Sequence, residues 1–284
     1  MEIYNLRKKL HEIEKITSDS KWMNGLDTRK KKEMEFHDLD RDKSRIESMD
    51  KDTYKKFYGN KKYYIATEPS RIYQGDWIKK YAKDKVFLDY ACGNGSDAIK
   101  AAKAGARLAI GLDISSISVE NAKTNAVEAG VESNICFIKA DCENTMLPDN
   151  SIDIITCSGV LHHLDLSYVF PELYRILAPG GRILADEALN YNPAIKLYRY
   201  LTPAMRTDWE KAHILDLRDV KLAKRFFDVG GIRYFCITSI LAPHMKPLLP
   251  LFNELDHFLA KIPIIRLMSW IFIFELISKD QSKA

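Results

Sequence analysis

From Lys85 onward the chain alternates short apolar runs with longer amphipathic ones. "KVFLDYA" (85–91), "ARLAIGLDIS" (106–115), "NICFIKADC" (134–142), "SIDIITCSGVL" (151–161) and "GGRILADEAL" (180–189) read as buried strands. "DAIKAAKAG" (97–105), "SISVENAKTNAVEAG" (116–130) and "LSYVFPELYRIL" (166–177) carry apolar residues at helical spacing. Strands that lack alternation and are separated by helices predict a parallel sheet covered on both faces, hence a doubly wound α/β domain. "GIRYFCITSIL" (231–241) predicts a further strand. The first 60 residues read as polar helices, with "LRKKLHEIEKI" the most amphipathic.

The C-terminal stretch is the most apolar. From Ile262 to Ile277 only Pro263, Arg266, Ser269 and Glu275 interrupt it. Read as a helix, it rises about 24 Å, short of a hydrocarbon core of about 30 Å. Pro247, Pro250 and Pro263 divide the region into short helices. The expectation is packing against a subdomain or a homodimer contact, with an interfacial helix on a membrane through residues 244–284 left open.

Composition narrows the classes. A chain of 284 residues with 46% hydrophobic content supports one sizeable core and an attached subdomain. A formal charge of +4 is too small for a nucleic-acid footprint. Lys and Arg crowd the first 85 residues, but acids are interleaved. Cys92, Cys136, Cys142, Cys157 and Cys236 are odd in number and form no CxxC pair, so reduced thiols and no metal are expected. The N-terminus lacks an apolar signal core, and a cytoplasmic location, with or without peripheral membrane contact, is the expectation.

Ligands of such sheets sit beyond the carboxyl ends of the strands. The first strand ends in "DYACGNG", Asp89 to Gly95. This is not a phosphate loop, because Ser96-Asp97 follows where Lys and Ser or Thr are required. Ala91 and Ala98 also break the dinucleotide G-x-G-x-x-G pattern, and Asp89 would repel a pyrophosphate. An amine-bearing or cationic ligand suits that acid better. Asp113 closes the second strand, where a carboxylate either accepts ribose hydroxyls or caps the next helix. Asp141 and Cys142 end the third strand; Ser158, Gly159, His162 and His163 follow the fourth.

Taken together, the acidic Gly-rich turn, Asp113, Asp141, "VLHHL" and "LAPGG" resemble the class I S-adenosylmethionine-dependent methyltransferases, in particular their type 11 small-molecule branch. The resemblance covers roughly Lys85 to Leu189. It implies a Rossmann-like core with S-adenosylmethionine as cofactor and S-adenosylhomocysteine as product. Carried over, Asp89, Ala91, Cys92, Gly93 and Gly95 form the cofactor loop, and Asp113 binds the ribose. Ile114 packs on the adenine, which Asp141 and Cys142 read at its edge, and Ser158 lies under the sulfonium. Glycine is usual in the family where Ala91 stands. Segments before the first strand often close over the site in this family, and Tyr64 of "YYIATEPSRIY" is a further cofactor-binding candidate.

The resulting division is a helical lid over 1–84, the cofactor-binding core over 85–189, a helical insert over 190–230, and final strands with apolar helices over 231–284. If the acceptor is a hydroxyl, a base must take its proton. The candidates are His162, His163 and Glu187. Adjacent residues on a helix point about 100° apart, so one histidine should face the site, with His162 favoured. His37 ranks low, being a lone histidine in a charged helix. Arg199, Arg206 and Arg218 in the insert suit an anionic acceptor. "NYNP" (190–193) ends a strand and starts a turn. The leading expectation is methyl transfer to oxygen of a small-molecule, glycan or lipid-linked acceptor. A quinone or isoprenoid C-methyltransferase and a non-catalytic cofactor-binding regulator or assembly protein are the alternatives.

Overall fold

The computed structural model describes residues 2–279. Five helices open the chain: α1 (Ile3–Thr17), α2 (Ser20–Gly25), α3 (Thr28–Arg41), α4 (Lys43–Glu47) and α5 (Lys51–Tyr58). Aspartates set where the last four begin. Asp19, Asp27, Asp42 and Asp50 each accept a backbone N–H from the first turn that follows. Leu6, Leu10 and Ile13 of α1 recur at helical spacing and are fully buried against the sheet. A 3-10 turn (Lys61–Thr67) leads into α6 (Glu68–Tyr81).

The core then alternates as the apolar pattern predicts. β1 (Val86–Tyr90), α7 (Ser96–Lys103), β2 (Leu108–Asp113), α8 (Ser116–Ala129), β3 (Ile135–Lys139), β4 (Ile152–Ser158), α9 (Leu166–Ile176) and β5 (Leu177–Ala188) give five parallel strands. The insert supplies α10 (Pro193–Leu201), α11 (Asp208–Ala212) and α12 (Leu217–Ala223). β6 (Phe227–Phe235), α13 (Leu249–Leu259) and β7 (Ile271–Ser278) complete the fold. The sheet order is β3-β2-β1-β4-β5-β7-β6, with β7 antiparallel to both neighbours. Side chains alternate across the sheet: Val86, Leu88 and Tyr90 pack on the α1 and α9 face, and Phe87 packs with α6, α7 and α8 on the other.

Three expectations are corrected. The apolar C-terminal run is not helical at its end, because residues 271–278 form strand β7 between β5 and β6. A strand buried on both faces is apolar throughout and shows no alternation, so its period resembles that of a buried helix. Its Glu275 accepts hydrogen bonds from Trp77 Nε1 and Arg182 Nη1, each at 3.0 Å. The strand read over 231–241 ends at Phe235; Cys236 turns with φ 63°, and a 3-10 turn (Ser239–His244) follows. His162 and His163 lie on a 3-10 turn (Leu161–His163) rather than on a helix. Residues 280–284 of the 244–284 segment lie outside the described residues.

The turn after β1 is left-handed at Ala91 (φ 56°), Gly93 (φ 51°) and Gly95 (φ 79°). A side chain at Gly95 would strike the Phe137 ring at 2.6 Å. Ala91 has a Cβ in a region that costs about 1–2 kcal/mol for an L residue, which gives the family's usual glycine there a physical reason. Ala91→Gly relieves that strain and loosens the unfolded chain by about 0.4–1 kcal/mol. The expected net effect is a gain of about 0–1.6 kcal/mol in urea-unfolding free energy. A loss would mean that the methyl is held by packing.

Candidate functional site

Two cavities open at the carboxyl ends of β1, β2, β4 and β5. The smaller, about 80 Å³, is lined by Ala91, Asp113, Ile114, Asp141, Cys142 and residues of α3. The larger, about 840 Å³, reaches from Asp97, Ser158 and Glu187 to Tyr64, Tyr198, Arg199, Arg206 and Trp270. Both are lined by Ser158, Gly159, His163, His37 and Arg41, so they meet where β4 ends.

In the smaller cavity Asp113 accepts the Gly93 N–H at 2.9 Å and the Ser115 N–H at 2.8 Å. The carboxylate thus pins the glycine turn to the end of β2. Burial pushes it above the ordinary carboxylate range, and Arg41 offsets part of that. Asp141 accepts the Glu143 N–H at 2.8 Å and pairs with Lys30 Nζ at 2.6 Å. Lys30 also reaches Glu143 at 3.0 Å, and Arg29 reaches Glu143 at 2.6 Å. Helix α3 is therefore clasped over the cleft by cations, and a side chain at Gly93 would collide with the Arg41 guanidinium. Helix α3 thus closes this cavity, which measures about 80 Å³.

Asp89 lines neither cavity. It is buried, accepts the Ala98 N–H at 3.0 Å at the start of α7, and is pushed well above the ordinary carboxylate range by burial and by Asp97. The carboxylate that lines the larger cavity beside the glycine turn is Asp97. It accepts hydrogen bonds from Gln74 Nε2, Ser158 Oγ and Lys100 Nζ, each at 2.8 Å. Cys92 and Gly95 are also set back from the cavities, in the packing beneath the turn. Tyr64 belongs to the larger cavity, where it stacks on Trp270 with ring centroids 5.7 Å apart. Asn192 of "NYNP" caps α10 through the Ala194 and Ile195 N–H groups.

Glu187 ends β5 with a fully buried carboxylate. Its Oε1 accepts the N–H groups of Val160 at 2.8 Å and Leu161 at 2.7 Å, and its Oε2 lies 2.6 Å from His162 Nδ1. Burial raises Glu187 to about 7, and burial with adjacent His163 holds His162 well below the ordinary imidazole range. Neighbouring Asp186 is raised to about 8 by burial and by Glu187. With Glu187 ionised, His162 donates through Nδ1–H and keeps a free lone pair on Nε2.

Both histidines line the larger cavity, contrary to the expectation that one would be turned away. Burial alone would lower His163, but Glu33 at 3.0 Å from its Nδ1 raises it above the ordinary value. His37 packs edge-on against His163 at 4.7 Å, so a residue ranked low stands in the site. Ligand atoms of Glu33, His37 and His163, and of His162, His163 and Glu210, lie within 4.8 Å of one another. Above them the insert places Arg199 and Arg206 on one carboxylate, Glu210, at 2.7 and 3.4 Å. Arg218 pairs with Asp216 outside the cavity. Asp97, Gln74, Glu33 and Glu210 were not singled out from sequence. Only their approach to the strand ends marks them.

Residues 88–185 match the family described as "Methyltransferase domain". The 27-O-demethylrifamycin SV methyltransferase of Amycolatopsis mediterranei is 38% identical over 109 residues, 38% of this chain and 40% of that protein. A ubiquinone/menaquinone biosynthesis C-methyltransferase of Geotalea daltonii is 34% identical over 125 residues, 43% of this chain and 52% of that protein. The chain thus spans about half the length, or less, of these curated relatives. A geranyl diphosphate methyltransferase solved with GPP and sinefungin has the same fold, at 16% identity and a TM-score of 0.55 over 72% of this chain and 77% of that one.

The Glu187 geometry is checked by nitrogen-15 NMR. At about pH 8, where Glu187 is ionised, His162 is expected to carry its proton on Nδ1, and to become cationic only well below the ordinary imidazole range. An Nε2–H tautomer, or titration above pH 7, contradicts the assignment.

Proposed function

We propose that this chain, whose residues 88–185 form a class I S-adenosylmethionine-dependent methyltransferase domain, transfers a methyl group to a hydroxyl of a small-molecule or lipid-linked acceptor. The observation that carries this reading is the carboxylate-held imidazole of His162, in the wall of the larger cavity near where the two cavities meet. The cofactor, when bound, supplies a methyl on a sulfonium already activated for displacement. Asp113 and Asp141 would hold its nucleoside, with the Ala91–Gly93 backbone and Ile114 against it and Ser158 at the reacting end. The relatives named above include an O- and a C-methyltransferase by name, so the choice of oxygen rests on the base.

His162 Nε2 would take the acceptor proton as the new bond forms, and Glu187 would stabilise the resulting imidazolium. Such a step needs Glu187 ionised beforehand. Protonated Glu187 no longer enforces the Nδ1–H tautomer, so activity should fall as pH drops below about 7. Arg199 and Arg206 share a single carboxylate, which leaves net positive charge to hold an anionic group of the acceptor. Alignment between cavity and cleft, with water excluded, would supply the rest of the rate. Helix α3 must withdraw to admit the cofactor and return to shut the cleft.

Two experiments test the reading. Calorimetry should show S-adenosylmethionine binding that weakens about tenfold or more in Asp113→Ala, as loss of hydrogen bonds to a charged group implies. Undiminished affinity in that variant removes the assigned nucleoside site. In assays of S-adenosylhomocysteine release with hydroxylated acceptors, His162→Ala should lower kcat by about 10²–10⁴-fold with cofactor affinity retained. The acid limb near pH 7 should vanish in Glu187→Gln; an unchanged limb assigns it elsewhere.

A further inference from the structure

Helix α13 is amphipathic the wrong way round for a water-facing helix. Its buried face is anchored by a carboxylate: Asp256 accepts hydrogen bonds from Thr238 N and Oγ1 at 2.6 and 2.7 Å, Ser239 Oγ at 2.7 Å and Ile237 N at 3.0 Å. Leu251, Leu255 and Phe258 lie at least about 100° around the helix from it and face outward. Phe258 is 63% exposed and Leu251 54%. Helix α10 repeats the arrangement with Leu197, Tyr200 and Leu201, of which Tyr200 is 80% exposed. Single exposed leucines are ordinary, but outward apolar stripes on two helices beside one cavity are more than that.

These stripes flank the larger cavity. Tyr63 in its wall touches Tyr198 of α10 and His244 of the turn that α13 packs on. The cavity lining runs out to exposed Ala194, Leu241 and His244. Around the stripes stand exposed Lys196, Lys246 and Lys261, against one exposed acid on α13, Glu254. Leucine and aromatic side chains ringed by lysines match the interfacial layer of an anionic membrane, where the chains sink among acyl groups and the ammoniums meet phosphates. Among the described residues no helix is long and apolar enough to cross a membrane.

We propose that the face formed by α10 and α13 docks on an anionic lipid surface and admits a membrane-borne acceptor, one with an apolar tail, into the larger cavity. The acceptor part rests on the proposed methyl transfer; the docking itself does not. The α13 part of this surface falls within the 244–284 segment left open from sequence for membrane contact, whereas β7 lies inside the sheet and α10 is an addition.

Co-sedimentation with phosphatidylcholine vesicles, with and without phosphatidylglycerol, tests the docking. The full chain should bind, more tightly to the anionic vesicles. Leu251→Ser with Leu255→Ser and Phe258→Ser should lower binding about tenfold or more. Leu197→Ser with Leu201→Ser provides a second variant, should the first fail to fold by circular dichroism. Lys246→Glu with Lys261→Glu should remove the preference for phosphatidylglycerol. A wild-type chain left in the supernatant with both vesicles overturns the proposal. So does light scattering that finds a dimer which the α13 variant dissolves, because a second copy then covers this face. Either result leaves S-adenosylmethionine binding untouched and so is distinct from failure of the methyl-transfer reading.

Discussion

The carboxylate of Glu187 ties the site together. It sits at the end of β5, inside the protein, and accepts the Val160 and Leu161 N–H groups and the His162 ring across the β4 exit. A buried carboxylate is tolerated only when its lone pairs are used, and here three donors converge on it. The turn that carries both histidines is thereby fixed relative to the sheet. One interaction sets the shape of the β4 loop, the tautomer of His162 and the junction of the two cavities. Burial also raises that carboxylate to about 7, which couples the geometry to proton concentration.

A second constraint works on the cofactor side. Asp113 uses its oxygens to hold the glycine turn against β2, and Asp141 is clasped by Lys30. These acids are already engaged within the chain, so a ligand must compete with the α3 cations for at least one of them. Helix α3 meets the strand ends through charge, whereas the sheet beneath is held by apolar packing on both faces.

The five parallel strands were legible because each is apolar and bounded by turn residues, and the strand-end rule drew attention to Asp113, Asp141 and Ser158 without further information. Asp89 has the same place in the motif whether it serves a ligand or the α7 N-terminus, and in the structure it accepts the Ala98 N–H. Asp97, the second residue of that helix, carries no more of a pattern than any first-turn acid. Glu33, His37 and Glu210 come from helices far along the chain, and no local pattern places them beside His163. Strand β7 eluded the period because both its faces are covered. The outward stripe of α13 was hidden for a related reason: which face is inner depends on Asp256 and its three-residue partner segment, not on the leucines.

A crystal structure of the protein with S-adenosylhomocysteine bound bears most directly on the central claim. The account predicts the nucleoside between Asp113 and Asp141, α3 displaced from its Lys30 contacts, and the thioether sulfur at Ser158 and Gly159 facing the cavity that holds His162. A nucleoside lodged elsewhere, or a sulfur turned away from that cavity, would contradict it.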